Sequence, residues 1–336
     1  NYEIPVVTIK YRTKEEVGII FERINNTGTK LSTVDLMTAW TWTDDFHLLE
    51  ATNELTTELE EKGFGSIPYN LILQSISAVI QDDTTTQSVL KLTGESVRDN
   101  WNTFSTSIKK AIDFLSTDLN CINSDFLPFI QQLVAITKFH SISGTIEAEQ
   151  LKALKQWFWR TSFSNRYSTG MTTSKMNSDI ETIIKIRNND FSEITNYSYT
   201  VTKSELIGTQ FSKGNSLTRA FLLLMAQKSP LDLMKGTKVD LDVSLAEFNR
   251  KEYHHVFPRA FLTKQGLSNN KINSLINFCF LPSDSNKKIS RKEPKDFFFN
   301  LIPPTDFKNI LESNILPIEK TIYQTNDYTT FQEKRA

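Results

Sequence analysis

Only two cysteines occur in the 336 residues, Cys121 and Cys279, and they stand far apart. That excludes a CxxC zinc knuckle and argues against a disulfide framework. Long apolar runs are missing too. The longest, such as Ala220 to Ala226, fall far short of the ~20 residues that cross a bilayer. The chain opens at Asn1 rather than Met, with no basic n-region and apolar h-region of a signal peptide. The expectation is a cytoplasmic segment cut from a longer protein, with no membrane partner. No fixed-period repeat or extended low-complexity tract appears. Net charge is nearly absent, −1 from 38 Lys+Arg and 39 Asp+Glu, which taken alone argues against a nucleic-acid binder.

The distribution of that charge points the other way. From Arg250 to Lys295 there are ten Lys/Arg and three acids, a local charge of +7 that leaves −8 for the remainder. Such asymmetry is the electrostatic footprint of a polyanion confined to one region. A length of 336 residues sets a prior of two or three domains, and the ordinary charged and apolar fractions indicate a folded globular chain.

Residues 4–11 alternate and are β-branched, which predicts a short strand whose sheet partners lie outside this sequence. Thr13 with Glu16 predicts a capped helix to Ile24; Asn25 to Gly28 is a turn, and Ser32 with Asp35 caps a second helix through Trp40. Residues 46–235 read as helices separated by polar turns. Leu71, Ile72, Ile76, Val79 and Ile80 form one helical stripe; Trp101, Phe104, Ile108, Ile112 and Leu115 form another. Helices are also expected over Phe126–His140 with Pro128 in the first turn, Gln150–Phe163, Ile180–Ile186 and Ser216–Met225. After Pro230 the pattern changes. It predicts a helix over Asp242–Phe248, a strand over Tyr253–Phe257, a loop from Ala260, a strand over Leu275–Leu281 and a helix from Pro294 to Leu301. The fold class is therefore mainly α with a small α+β part. The expected blocks are 1–45, a helical middle at 46–235, and a terminal domain at 236–336.

Within the basic region, Glu252-Tyr253-His254-His255-Val256-Phe257-Pro258 is followed by Asn277 on an apolar run and Asn286 beside Lys287 and Lys288. Hydrolysis of a phosphodiester with one metal needs a neutral imidazole to take a proton from water. It also needs a few N/O ligands that leave the metal partly open, and cations to hold the polyanion. The ordinary alternatives are a surface or core histidine pair and a solvated charged face. Tyr253, Phe257 and Phe297–Phe299 read most simply as core residues. Asn273 lies in the loop, so Asn277 is the preferred middle asparagine. His47 and His140 receive no role.

These residues resemble the HNH (His-Me finger, ββα-metal) nuclease module over roughly residues 240–305. His255-Val256-Phe257-Pro258 matches its first element, Asn277 its second and Asn286 its third; the Asn277–Asn286 spacing followed by Lys287-Lys288 also resembles the HNH domain of RNA-guided CRISPR nucleases. Upstream, Phe21 to Ser32 resembles the motif that follows the ParB-like NTPase core of GmrSD-type restriction proteins, and Trp157 to Tyr167 resembles their helical middle. That likeness makes 1–45 a remnant of the ParB-like domain. The family's Asp-Gly-Gln-Gln-Arg nucleotide signature is absent.

The resemblance implies a DNA endonuclease of a restriction or phage-defence system, acting on DNA that carries a modification in some relatives. His255 would be the general base and Asn277 would orient the base loop. His254 and Asn286 would be metal ligands, and Lys287, Lys288 and Arg291 would contact phosphates. The cofactor would be a divalent metal, Mg²⁺ or Mn²⁺. His254 replaces the Asp of many relatives, which softens the site and favours Mn²⁺, Co²⁺ or Ni²⁺. Adjacent strand residues face opposite ways, so His254 and His255 reach one ion only where the strand ends or kinks. The implied partners are DNA, the NTPase region of the same protein, and a second copy if the protein is a homo-oligomer. Two other readings stay open: a non-catalytic nucleic-acid-binding module with a degenerate HNH fold, and an NTP-regulated helical interaction platform.

Overall fold

The computed structural model describes residues 33–42, 46–164, 166–168, 170–197, 201–246 and 253–336, with isolated positions before residue 33. The expected strand at 4–11, the helix to Ile24, the turn at Asn25–Gly28, the resemblance over Phe21–Ser32, and Arg250, Lys251 and Glu252 lie outside the described residues. The protein is mainly α-helical, with one small antiparallel sheet in its last third.

Packing groups the described residues up to 111, with 131–151 and 169–191, into one compact unit. Residues 112–130, 152–168 and 192–336 form a second. This division differs from the sequence blocks, because pieces of the helical middle pack with the terminal residues.

In the first unit the Gln132–Ser141 helix packs against both Tyr69–Gln81 and Thr172–Arg187. Its Leu133, Val134, Ile136 and Phe139 are buried, as are Ile180, Ile183 and Ile186 of the third helix, at the spacing a helical stripe requires. The helix expected over Phe126–His140 is broken. A 3₁₀ turn covers Ser124–Phe126, and the α-helix starts at Gln132. Pro128 is the cause: it has no N–H to donate, and it drives the preceding Leu127 to an extended ψ of 118°. Arg187 closes this unit by donating to the carbonyls of Ile142, Ser143 and Gly144 at 3.0–3.1 Å. Gly144 takes φ +96° there, a conformation an L side chain rarely adopts.

In the second unit strand β1, Tyr253–His255, pairs antiparallel with strand β2, Phe278–Phe280. The register sets Tyr253 opposite Phe280, His254 opposite Cys279 and His255 opposite Phe278. Both strands are shorter than the periodicity predicts. β1 stops at His255 because the N–H and C=O of Phe257 bond to the Asn277 side chain instead of a ladder. Asn277 itself sits in a 3₁₀ turn over Leu275–Asn277, not on the strand. The expected loop from Ala260 is a helix, Arg259–Lys264, that Pro258 opens from the N-cap with φ −56° and ψ 137°. Pro282 opens Ser283–Ile289 in the same way, and Pro294 begins Pro294–Asn300. Where the helix expected over Asp242–Phe248 falls on described residues, it is a single turn, Leu241–Ser244, capped by the Asp240 side chain on the Val243 N–H at 3.1 Å; 247 and 248 lie outside the described residues.

The two faces of the hairpin enter different surroundings. Cys279 belongs to a large buried cluster with Phe257, Leu262, Ile289, Phe297, Tyr323 and Phe331. Tyr253, Phe278 and Phe280 instead meet other rings: Tyr253 lies 5.6 Å from Phe280 and 6.5 Å from Phe126, centroid to centroid. A Phe→Ala change in a cluster of this kind costs about 3–5 kcal/mol.

Candidate active site

His255 ends β1 and lies against the edge of the aromatic face, its ring centroid 4.3 Å from that of Phe278. Phe278 in turn stacks on Phe211 at 4.0 Å and 15°. A cleft of about 350 Å³ opens here, lined by Gln210, Phe211, Tyr253, His254, His255, Arg259, Asn273 and Phe278. No carboxylate is among these residues, and Arg259 is the one permanently charged side chain of this lining.

The Nε2 atom of His255 is 3.0 Å from Oδ1 of Asn273. An amide oxygen only accepts, so this contact places the ring proton on Nε2 and leaves the lone pair on Nδ1. The His255 pKa is lowered from its ordinary value, first by burial and also by the nearby charges of Arg259 and His254. The Asn273 hydrogen bond opposes them. At neutral pH the imidazole is therefore a neutral base, fixed in one tautomer.

Asn277 does not touch the ring. Fully buried, it accepts the Phe257 N–H at 2.9 Å and donates to the carbonyls of Phe257 at 3.1 Å and Ile272 at 3.0 Å. Its own carbonyl accepts the Val256 N–H at 2.7 Å. The middle asparagine thus fixes the chain just after the histidines and the turn just before itself.

A segment upstream of the motif holds the loop that carries Asn273. Phe211 N–H donates to the Asn273 carbonyl at 3.0 Å, and Leu275 N–H to Thr209 at 2.7 Å. The Ser274 hydroxyl donates to Ile207 at 2.6 Å, and the Gln210 amide to Asn270 at 2.7 Å. Residues 207–211 are thus bonded to the Asn273 loop, and Gln210 and Phe211 of this segment line the cleft.

The other expected residues are placed differently. His254 lines the cleft, but its register partner is Cys279, so alternation directs its side chain to the face opposite that of His255. Cys279 shares a buried cluster with Ile289. Ile289 ends the Ser283–Ile289 helix, which carries half-buried Asn286. Asn286, Lys287, Lys288 and Arg291 are not among the cleft-lining residues. Lys287 and Lys288 are exposed, with Lys287 3.9 Å from Asp284 and Lys288 giving its carbonyl to Lys292. Among the described residues no three His, Cys, Asp or Glu side chains gather as a ligand cluster. The donors that His254 and Asn286 could offer a divalent ion are an imidazole nitrogen and an amide oxygen. Such a pair suits a weakly held ion completed by phosphate oxygens and water.

Sequence reasoning prefers Asn277 to Asn273 and assigns nothing to Phe211, Gln210 or Arg259. Asn273 carries no local signal beyond its residue type. The other three are brought to the cleft by tertiary packing, or, for Arg259, by the helix that Pro258 starts.

A small antiparallel hairpin followed by a helix, set in a mainly helical protein, is the class these elements define. No family model matches the chain. An uncharacterised protein of Methanocaldococcus jannaschii is 25% identical over 96% of this chain and 57% of its own length. The chain therefore spans less than two thirds of that relative.

Proposed function

We propose that the protein is a metal-dependent endonuclease that hydrolyses or nicks DNA, with His255 as the general base. The observation that carries this reading is the His255–Asn273 pair: a neutral, half-buried imidazole, its tautomer fixed by an amide oxygen, at the edge of an open cleft. In this mechanism Nδ1 of His255 accepts a proton from the attacking water. Asn273 keeps the ring in the tautomer that can do so and shares the positive charge that forms. Asn277 acts one step away, by holding the Val256–Phe257 backbone and so the direction of the strand end. A bound Mg²⁺ or Mn²⁺ ion would lend positive charge to the scissile phosphate and its leaving oxygen, with His254 and Asn286 as the residues that would hold it. Lys287, Lys288 and Arg291 would take outlying phosphates, since they stand off the cleft.

The HNH resemblance of 240–305 and the GmrSD-type resemblance of the upstream segments support a restriction or phage-defence setting in the cytoplasm. Modified DNA is then the substrate class to try first. The second reading, a non-catalytic nucleic-acid-binding module, is favoured by one observation: among the described residues the cleft lining has no carboxylate. A plasmid-nicking assay with Mn²⁺ or Mg²⁺, parent beside His255→Ala, separates the two. The parent is expected to nick and the variant to lose at least about a hundredfold in rate. Equal nicking by both proteins refutes the base assignment.

A further inference from the structure

Beyond helping to lower the His255 pKa, Arg259 has no step in the base mechanism, yet its position in the cleft calls for a role. It follows Pro258 directly, and the Phe257 backbone just before it is held at both N–H and C=O by Asn277. The base of its side chain is thus fixed to the same buried asparagine that fixes the strand end bearing His255. Arg259 is exposed and lines the cleft beside His255, Asn273 and Gln210. Its hydrogen-bond contact is weak, Nη2 to Oδ1 of Asn269 at 3.5 Å. Among the described residues no ion pair engages it, and the lining offers no carboxylate that could.

A cation in that setting has its charge directed at whatever enters the cleft. Structural arginines elsewhere in this chain look different. Arg187 and Arg335 are buried and spend their donors on backbone carbonyls. Arg259 keeps its fork available, and a guanidinium fork matches two oxygens of one tetrahedral anion in a way an ammonium cannot. The basic side chains of the Ser283–Ile289 helix are point charges outside the lining, suited to long-range attraction more than to holding one group in place.

We propose that Arg259 is the phosphate anchor of the cleft, holding the non-bridging oxygens of one backbone phosphodiester next to His255. This assignment rests on the nuclease reading for its meaning, since it names the substrate group that the site grips. It concerns binding, however, and can be tested without cleavage.

The test uses the full 336-residue chain, a fluorescein-labelled DNA duplex and EDTA, so that no metal-dependent turnover intrudes. Affinity is measured across a salt series for the parent, Arg259→Gln, Arg259→Lys and Lys287→Gln/Lys288→Gln. Thermal melts show whether each variant folds; Arg259 is exposed, so little change is expected. Loss of one phosphate contact lowers the slope of log affinity against log salt by about 1, and Arg259→Gln should show that loss. Its affinity at low salt should fall by about tenfold. Arg259→Lys should keep most of the slope, because the charge remains, while losing affinity with the fork. Lys287→Gln/Lys288→Gln should also lower the slope, as removal of outlying phosphate contacts does, and so sets the scale for the Arg259→Gln change. An Arg259→Gln slope and affinity equal to the parent's overturn the anchor, even if the protein proves to be a nuclease. A protein that nicks no DNA but shows the slope change loses the nuclease reading and keeps the anchor.

Discussion

Arg335 donates to the carbonyls on both sides of Asn277, that of Ile276 at 2.5 Å and that of Phe278 at 2.8 Å. The same guanidinium reaches Asn314 at 3.1 Å and Ile315 at 3.0 Å, and stands over the Phe331 and Phe221 rings. Burial lowers its pKa to about 10, and the partners that satisfy it are carbonyl dipoles. Arg335 and Asn277 therefore share one task. The arginine holds the turn from behind, and the asparagine passes that order on to Phe257 and to the end of β1.

Arg335→Met should then be costly in two ways. It strips several buried carbonyls of their donor, which costs about 3 kcal/mol or more at ~1–3 kcal/mol for each unsatisfied group. It should also loosen the strand end at His255. Chemical denaturation reads the first effect, and the line width of the His255 ring signals in NMR reads the second. A variant as stable as the parent with sharp, unmoved signals contradicts this role for Arg335.

Asn273 and Asn277 should respond oppositely to truncation. Asn277 is buried and makes three side-chain hydrogen bonds to backbone. Asn277→Ala should lower stability by about 3 kcal/mol, with activity lost through disorder. Asn273 sits in the cleft lining and bonds the imidazole. Asn273→Ala should melt within a few degrees of the parent and still lose kcat by about tenfold or more, with KM little changed. If Asn273→Ala unfolds while Asn277→Ala stays stable and active, the two asparagines have exchanged roles.

Much of this arrangement was legible in the sequence. Of the two expected stripes, Leu71, Ile72, Ile76, Phe104, Ile108, Ile112 and Leu115 are buried as their spacing predicts, because a helical period is a local property, while Val79, Ile80 and Trp101 are half-buried. The order strand, strand, helix was legible too, since His255, Asn277 and the three prolines Pro258, Pro282 and Pro294 mark its corners. Element ends were not. β1 ends two residues early because a side chain 20 positions away takes the hydrogen bonds of Phe257. Asn273 could not be preferred over Asn277 without knowing which one reaches the ring. Phe211 and Arg335 act across 67 and 57 positions, on Phe278 in both cases, and no short-range pattern carries such contacts.

The direction of the His255 shift sets a pH dependence. Its folded pKa lies below the unfolded value of ~6.5, mainly because burial penalises the charged ring. Below about pH 6.5 the unfolded chain takes up a proton that the folded chain resists. The stabilising contribution of the neutral ring is thus full above that pH and is lost as pH falls through the folded pKa. Denaturation at pH 7.5 and 5.5 should show a larger acid loss for the parent than for His255→Gln. Equal losses would mean that the ring is not held neutral by its surroundings.

His254 offers the sharpest test of the ion. If its imidazole is a ligand together with Asn286, His254→Asp replaces a neutral, softer donor with a hard, charged one. Hard cations such as Mg²⁺ gain most from that exchange. The Mg²⁺ concentration for half-maximal nicking should fall by about tenfold or more, while the requirement for Mn²⁺ changes less. Stability should move little, because position 254 is only half-buried in the parent. A titration of nicking rate against each metal reads the difference directly. Unchanged half-maximal concentrations for both ions in a variant that still cleaves would remove His254 from the ligand set and leave Asn286 as the one donor proposed from this chain.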